Sequence, residues 1–215
     1  DRLELLRRTM PSHGLLPRPV DLFEHPIPYV WLLSDTRREP RRDVVGLFNW
    51  DDEERAFDES LTRIGLDGRA CIAFDYWENR IVATPRDRLR ILVPAHSCRI
   101  LAMRPNGKEP IVLSTSRHIT QGIVDLIEER WDPAARTLRG RSRVVGGDPY
   151  ELRILTASFA PHPHSMTLTT SEADPAAGVT VFMGLKEEGD LRATLQSPTS
   201  REVSWAITFG RPDTP

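Results

Sequence analysis

The sequence predicts an all-β chain: two tandem antiparallel β-sandwiches of Greek-key or immunoglobulin-like type, preceded by a short helix and a proline-rich strap. Three observations predict it. From residue 29 onward the apolar residues come in short runs separated by turn residues, the pattern of antiparallel sandwiches and barrels. Several runs alternate with the period of two that a half-buried strand needs, as in Leu89, Ile91 and Val93 around Arg90. No long helical pattern interrupts them. The boundaries follow as a helix and connector over 1–28, a first sandwich over 29–110 and a second over 111–215.

The elements justify themselves in order. Leu3, Leu5 and Leu6 beside Arg7 and Arg8 suit a short helix over Arg2–Met10, which Pro11 stops. Pro11, Pro17, Pro19, Pro26 and Pro28 then make an extended connector. Strands are expected at Tyr29–Leu33, Asp43–Trp50, Ala70–Trp77, Leu89–Val93 and Cys98–Met103, with breaks at Asp51–Glu54, Asp67–Gly68 and Pro105–Gly107. After Pro110 the alternation is cleaner. Leu138, Gly140, Ser142 and Val144 oppose Arg139, Arg141 and Arg143, and Val203, Trp205, Ile207 and Phe209 oppose Ser204, Ala206 and Thr208, which places Trp205 in a core. Shorter runs lie at Met166–Thr170, Val179–Phe182 and Leu191–Leu195. Gln121–Trp131 fits either period and is assigned to a strand, because Asp132–Arg136 reads as a hairpin turn into Thr137–Val145.

Composition excludes some functions. The 215 residues carry 29 Lys+Arg against 31 Asp+Glu, a formal net charge of −2, so bulk charge draws the chain to neither nucleic acid nor an anionic membrane. No apolar run approaches the roughly 18 residues of a membrane span. The opening DRLELLRR lacks the apolar core of a signal peptide, and a chain opening on Asp1 reads as a piece of a longer precursor, which leaves its compartment open. Cys71 and Cys98 sit in apolar stretches as small core residues, at a spacing that matches no zinc or redox motif. No cofactor motif is present.

Candidate sites each have a plainer reading. Asp51, Asp52, Glu53 and Glu54 offer hard oxygen ligands for calcium, yet consecutive acids in a turn converge only if the backbone curls around an ion, so a solvated turn is expected. Phe74, Tyr76 and Trp77 with Asp75 and Glu78 suit a sugar-stacking platform, with Phe74 the one expected in the core. His96 follows Pro94 in a tight turn where local backbone is its natural partner. His162 and His164 lack a third donor for a metal. Ser114, Thr115, Ser116 and His118 place hydroxyls beside an imidazole, but sequence proximity does not aim a nucleophile. Arg139, Arg141 and Arg143 would stand about 7 Å apart on one strand face, solvated or paired with acids such as Glu128 and Glu129.

One set of motifs is more telling in combination. VVGLFNWDD over 44–52, FDYW over 74–77 followed by Glu78, and VPAHSCRILAMR over 93–104 resemble, in that order, the C-terminal β-sandwich of α-galactosidase-type glycoside hydrolases, families 27 and 36 and their relatives. LELLRR and RPVDLF are similar to the last barrel helix and the connector that leads into that sandwich. The stretch from LSTSRHITQ onward resembles an extra β-domain at the tail of some members. The resemblance implies an accessory region that packs on an upstream catalytic barrel of the same precursor. It also implies that the catalytic carboxylates lie elsewhere, since no part of this chain reads as the strand–helix repeats of a barrel. No catalytic residue carries over. The rival expectation is a carbohydrate-binding module using exposed aromatics, with Trp50, Tyr76, Trp77 and Trp131 as its residues.

Overall fold

The computed structural model describes residues 2–12, 14–66, 70–156, 165–167, 178–187 and 190–209, and for 165–167 and 185–187 it describes the backbone. The chain is all-β, as the alternation predicts. After a short helix α1 (Arg2–Thr9) come strands β1 (Arg18–Pro19), β2 (Val30–Asp35), β3 (Arg42–Asn49) and β4 (Arg55–Ser60), one helical turn α2 (Leu61–Ile64), then β5 (Cys71–Asp75), β6 (Arg80–Ala83), β7 (Arg88–Val93) and β8 (Ser97–Pro105). The remainder holds β9 (Ile111–Thr115), β10 (Leu126–Asp132), β11 (Thr137–Val144), β12 (Tyr150–Leu155), β13 (Ser165–Thr167), β14 (Thr180–Glu187), β15 (Asp190–Gln196) and β16 (Arg201–Thr208). Two compact units result: Pro11–Asn106, and Asp1–Met10 together with Gly107–Pro215. The helix thus groups with the later strands and the strap with the earlier ones.

In the unit 11–106 a six-stranded antiparallel sheet runs β1-β2-β3-β8-β5-β6, and β4 and β7 form a separate ribbon. Side-chain parity builds the core between them. Val30 and Leu32 of β2, Val45 and Leu47 of β3, Ala73 of β5, and Leu101 and Met103 of β8 pack against Phe57 of β4 and Leu89 and Val93 of β7. α2 plugs one side with the fully buried Leu61 and Ile64. Ser60 caps it by accepting the Arg63 amide at 3.4 Å, and Gly65 ends it at φ +98°, where a side chain would be strained. Part of the strap is stitched to the sheet: Arg18 and Pro19 pair with Leu32 and Trp31, and the buried Asp21 carboxylate accepts the amides of Tyr29 at 2.8 Å and Val30 at 3.1 Å.

The other unit stacks two four-stranded sheets, β10-β11-β16-β13 and β14-β15-β12-β9. Leu138 and Val144 of β11 with Val203, Trp205 and Ile207 of β16 meet Leu152 and Ile154 of β12 and Leu191, Ala193 and Leu195 of β15. Trp205, 1% exposed, is core as expected, and it needs the glycine beside it. Gly140 is its ladder partner, and a Cβ there would stand 2.2 Å from the Trp205 Cζ2. The indole N–H donates to Ser142 Oγ at 3.0 Å, and the Tyr150 hydroxyl lies 3.1 Å from that oxygen and 2.7 Å from Asp125 Oδ2. α1 joins this unit through a forked Arg8–Asp148 pair at 2.9 and 3.1 Å and through the Ile119 amide, which donates to the Arg8 carbonyl at 2.9 Å.

Two expectations need correction. Gln121–Trp131 is not one strand: Gln121 and Gly122 take positive φ of 53° and 102°, which breaks the extended chain, and β10 starts only at Leu126. The second arginine-row acid is also different. Arg141 and Arg143 share Glu202 at 3.1 and 3.3 Å, and Arg141 lies 3.9 Å from Glu128, whereas Glu129 accepts the Val112 amide at 2.6 Å. The expected run Met166–Thr170 is described only to Thr167, and His162 and His164 lie outside the described residues.

Candidate functional site

The motifs of the first sandwich converge on one end of its six-stranded sheet. β3 and β5 run antiparallel to the β8 strand between them, with Asn49 opposite Ser97 and Asp75 opposite Leu101. The turns after β3 and β5 and the turn before β8 therefore emerge at the same end. This is the end that carries Trp50, Trp77 and His96.

Asn49 organises the first turn. Buried at the end of β3, it donates through Nδ2 to the carbonyls of Glu53 at 2.7 Å and Val93 at 3.0 Å, and its Oδ1 accepts the Asp51 amide at 3.0 Å. The acidic run is consequently splayed apart. Asp51 accepts the Tyr29 hydroxyl and pairs with Arg55, both at 2.8 Å, and those two donors hold its carboxyl below the usual range. The Arg55 guanidinium lies over the Tyr29 ring at 4.0 Å. Asp52 instead meets His96 Nε2 at 2.9 Å, so that imidazole bonds a side chain rather than the local backbone. Among the described residues no group of three or more His, Cys, Asp or Glu side chains gathers as a metal would need.

Asp75 organises the second turn. Its Oδ1 accepts the amides of Trp77 at 2.9 Å and Glu78 at 3.0 Å, a local turn that fixes the Trp77 backbone. Its Oδ2 faces Arg99 at 3.6 Å without a hydrogen bond. Burial pushes this carboxyl up, and the Glu78 amide and the Arg99 charge only partly oppose it. Arg99 bonds Glu78 directly and holds that carboxyl low. Asn49 figures in the sequence only as part of the motif VVGLFNWDD, and Arg99 only as an arginine inside the apolar run Cys98–Met103.

The four aromatics named from sequence part company here. Trp50 is 45% exposed, stacked on Phe48 with centroids 5.4 Å apart and planes 7° apart, its indole N–H donating to the Pro28 carbonyl at 3.0 Å. Trp77 is 42% exposed and meets the Tyr76 ring edge-on at 4.9 Å. Tyr76 is buried and so offers no stacking face; its amide continues the ladder to the Ile100 carbonyl. Trp131 belongs to the other unit, half-buried against its core with Phe209 edge-on at 5.7 Å. Elsewhere, Ser114, Thr115 and His118 are buried, and His118 Nδ1 is spent on Thr120 at 2.7 Å. Neither Cys71 nor Cys98 forms a disulfide.

No family model and no curated protein matches this chain. Solved structures similar to it include a family 27 β-L-arabinopyranosidase from Geobacillus stearothermophilus, at 20% identity and a TM-score of 0.31 over 35% of this chain. Alpha-galactosidase I from Mortierella vinacea is similar at 20% identity and a TM-score of 0.31 over 36% of this chain. A variant of the Geobacillus enzyme in complex with arabinose is similar at 17% identity and a TM-score of 0.34 over 42% of this chain. The similarity covers 17%, 21% and 20% of those three chains, respectively.

Proposed function

We propose that this chain is a non-catalytic accessory region of a glycoside-hydrolase-like protein, packing on and stabilising a catalytic barrel of the same precursor. The observation that carries the reading is an excess of uncovered apolar side chains in the helix and strap. Leu3, Leu5, Leu6, Met10, Leu16, Leu22, Phe23 and Ile27 are all exposed, eight of the thirteen large apolar side chains exposed among the described residues. Phe23 is the extreme case: the residue is 93% exposed on a backbone at φ +74°, a conformation a bulky residue rarely takes. A strained residue persists where its surroundings repay the strain, and among the described residues the ring receives no such return. A covering partner surface supplies it. The ordered motifs at 44–52, 74–77 and 93–104 supply the glycoside-hydrolase part of the reading.

The test is substitution on that surface. Leu5→Lys and Phe23→Lys in this chain are expected to shift stability by no more than about 0.5 kcal/mol, as exposed changes do. A loss above about 1 kcal/mol in either would show that these side chains are already packed, and the accessory reading would fall. Purified chain is also expected to leave aryl α-galactosides at the background rate, since glycoside cleavage takes two carboxyl groups held about 5–9.5 Å apart across the bond. A second reading, direct carbohydrate binding, draws on the exposed Trp50 ring laid flat on Phe48, which leaves one indole face to water. Galactose or arabinose titrated against tryptophan fluorescence separates the two. A saturable change abolished by Trp50→Ala favours binding, and a flat titration favours packing.

A further inference from the structure

Among the described residues β14 is an edge strand with no charge or proline over its first six positions. It pairs with β15 alone, and among the described residues no hydrogen bond is made on its outer side over Thr180–Gly184. Other edges are guarded in the usual ways, by charge, proline or short length. β10 carries Glu128, Glu129, Arg130 and Asp132, β1 is two residues long and ends on Pro19, β13 has three residues, and β9 has Val112 to Thr115 buried. β14 runs eight residues and carries neither charge nor proline from Thr180 to Leu185. Phe182 at 61% and Met183 at 38% exposure are adjacent, so both faces of the strand present a large apolar side chain at this edge.

Gly184 adds an independent observation. A glycine weakens a strand interior and often marks close approach by another group. Here it has no left-handed φ to justify it, and a Cβ added to it would meet nothing within 4 Å. Nothing among the described residues accounts for a glycine here.

We propose that β14 binds a second copy of this chain, the two β14 strands pairing antiparallel about a two-fold axis and joining two four-stranded sheets into one of eight. The sequence selects the occupant and the register. Phe182 and Gly184 flank Met183 symmetrically, so a two-fold axis at Met183 sets Phe182 of each strand opposite Gly184 of the other, where the ring covers the position that lacks a side chain. Val181 then faces Leu185, and Thr180 faces Lys186, so no like charges meet. The interface is isologous and closes at two copies.

Sedimentation equilibrium on the full chain over about 1 µM to about 1 mM should show the mass rising from 24.4 kDa to twice that value. Met183→Lys should hold it at the single-chain mass with an unchanged urea midpoint. Gly184→Thr, which favours the strand but fills the space for the ring, should weaken association at least about tenfold without loss of thermal stability. In a Cys98→Ser background, Met183→Cys should cross-link under mild oxidation and Thr180→Cys should not, because Met183 alone faces its own copy. A chain that stays at 24.4 kDa throughout, a dimer that survives Met183→Lys, or cross-linking at Thr180 instead of Met183 would each overturn the proposal.

Discussion

Gly140 shows how one side chain's absence can organise a core. The Trp205 ring lies where a Cβ on Gly140 would stand, and the Glu128 carbonyl closes the same space at 2.6 Å. Gly140→Ala should therefore cost at least about 1–3 kcal/mol, the range for overpacking, measured as a lower urea midpoint. Trp205→Ala should cost about 3–5 kcal/mol by leaving a cavity and removing one of the two donors at Ser142 Oγ. If the double variant loses only what Trp205→Ala loses, the two residues act through one contact, whereas full additivity would separate them. The alternation of β16 made Trp205 legible as core, and that of β11 placed Gly140 and Ser142 on the inward face. The reason for a glycine there was not legible, because the ring that requires it arrives from a strand 65 positions later. Tyr76 was misjudged against its own pattern. It lies inside the expected strand Ala70–Trp77 and shares the parity of the fully buried Phe74, so the alternation itself pointed inward, and the ladder does run on to it through the Ile100 carbonyl.

Elements with a strong period were legible and those without one were not. β7, β11 and β16 alternate over six to eight residues. β4 brings a single buried residue, Phe57, and α2 is four residues long, too short for a helical period to register. α1 was legible as a helix but not as a tethered one, since its Asp148 partner lies 140 residues away. No residue of the helix is buried, and its C-terminal turn is tied down through Arg7 and Arg8. Hydrogen exchange should find the α1 amides opening far more readily than those of β3, and Asp148→Ala should speed them further while β11 and β16 stay protected. Protection of α1 equal to that of β3 would refute this account of an exposed helix that depends on its Asp148 tether.

Across the whole molecule, most shifted carboxyls point the same way. Asp35, Asp51, Asp58, Glu78 and Asp132 are held below their ordinary values, chiefly by arginine, tyrosine or amide donors, and Glu151 joins them because Arg153 and Arg192 outweigh its burial. Each favours the folded chain above its unfolded value, near 3.8 for Asp and 4.5 for Glu, and that contribution is lost as pH falls through the lowered folded value. Asp75 runs the other way, since its raised value means that ionisation opposes folding as pH rises. The urea midpoint should accordingly fall between about pH 5 and about pH 3. Asp75→Asn, which keeps an acceptor for both turn amides, should raise the midpoint at neutral pH and lose that advantage in acid, and a lower midpoint at neutral pH would contradict the assignment. The tether of Arg8 to Asp148 has a consequence in time as well as in energy. One unit is assembled from both ends of the chain, while the other occupies the uninterrupted stretch Pro11–Asn106. During vectorial synthesis the stretch Pro11–Asn106 emerges complete and is free to fold, while α1, made before it, waits on the ribosome's later output for the carboxylate that will anchor it, so a helix made early is among the later elements to find its place.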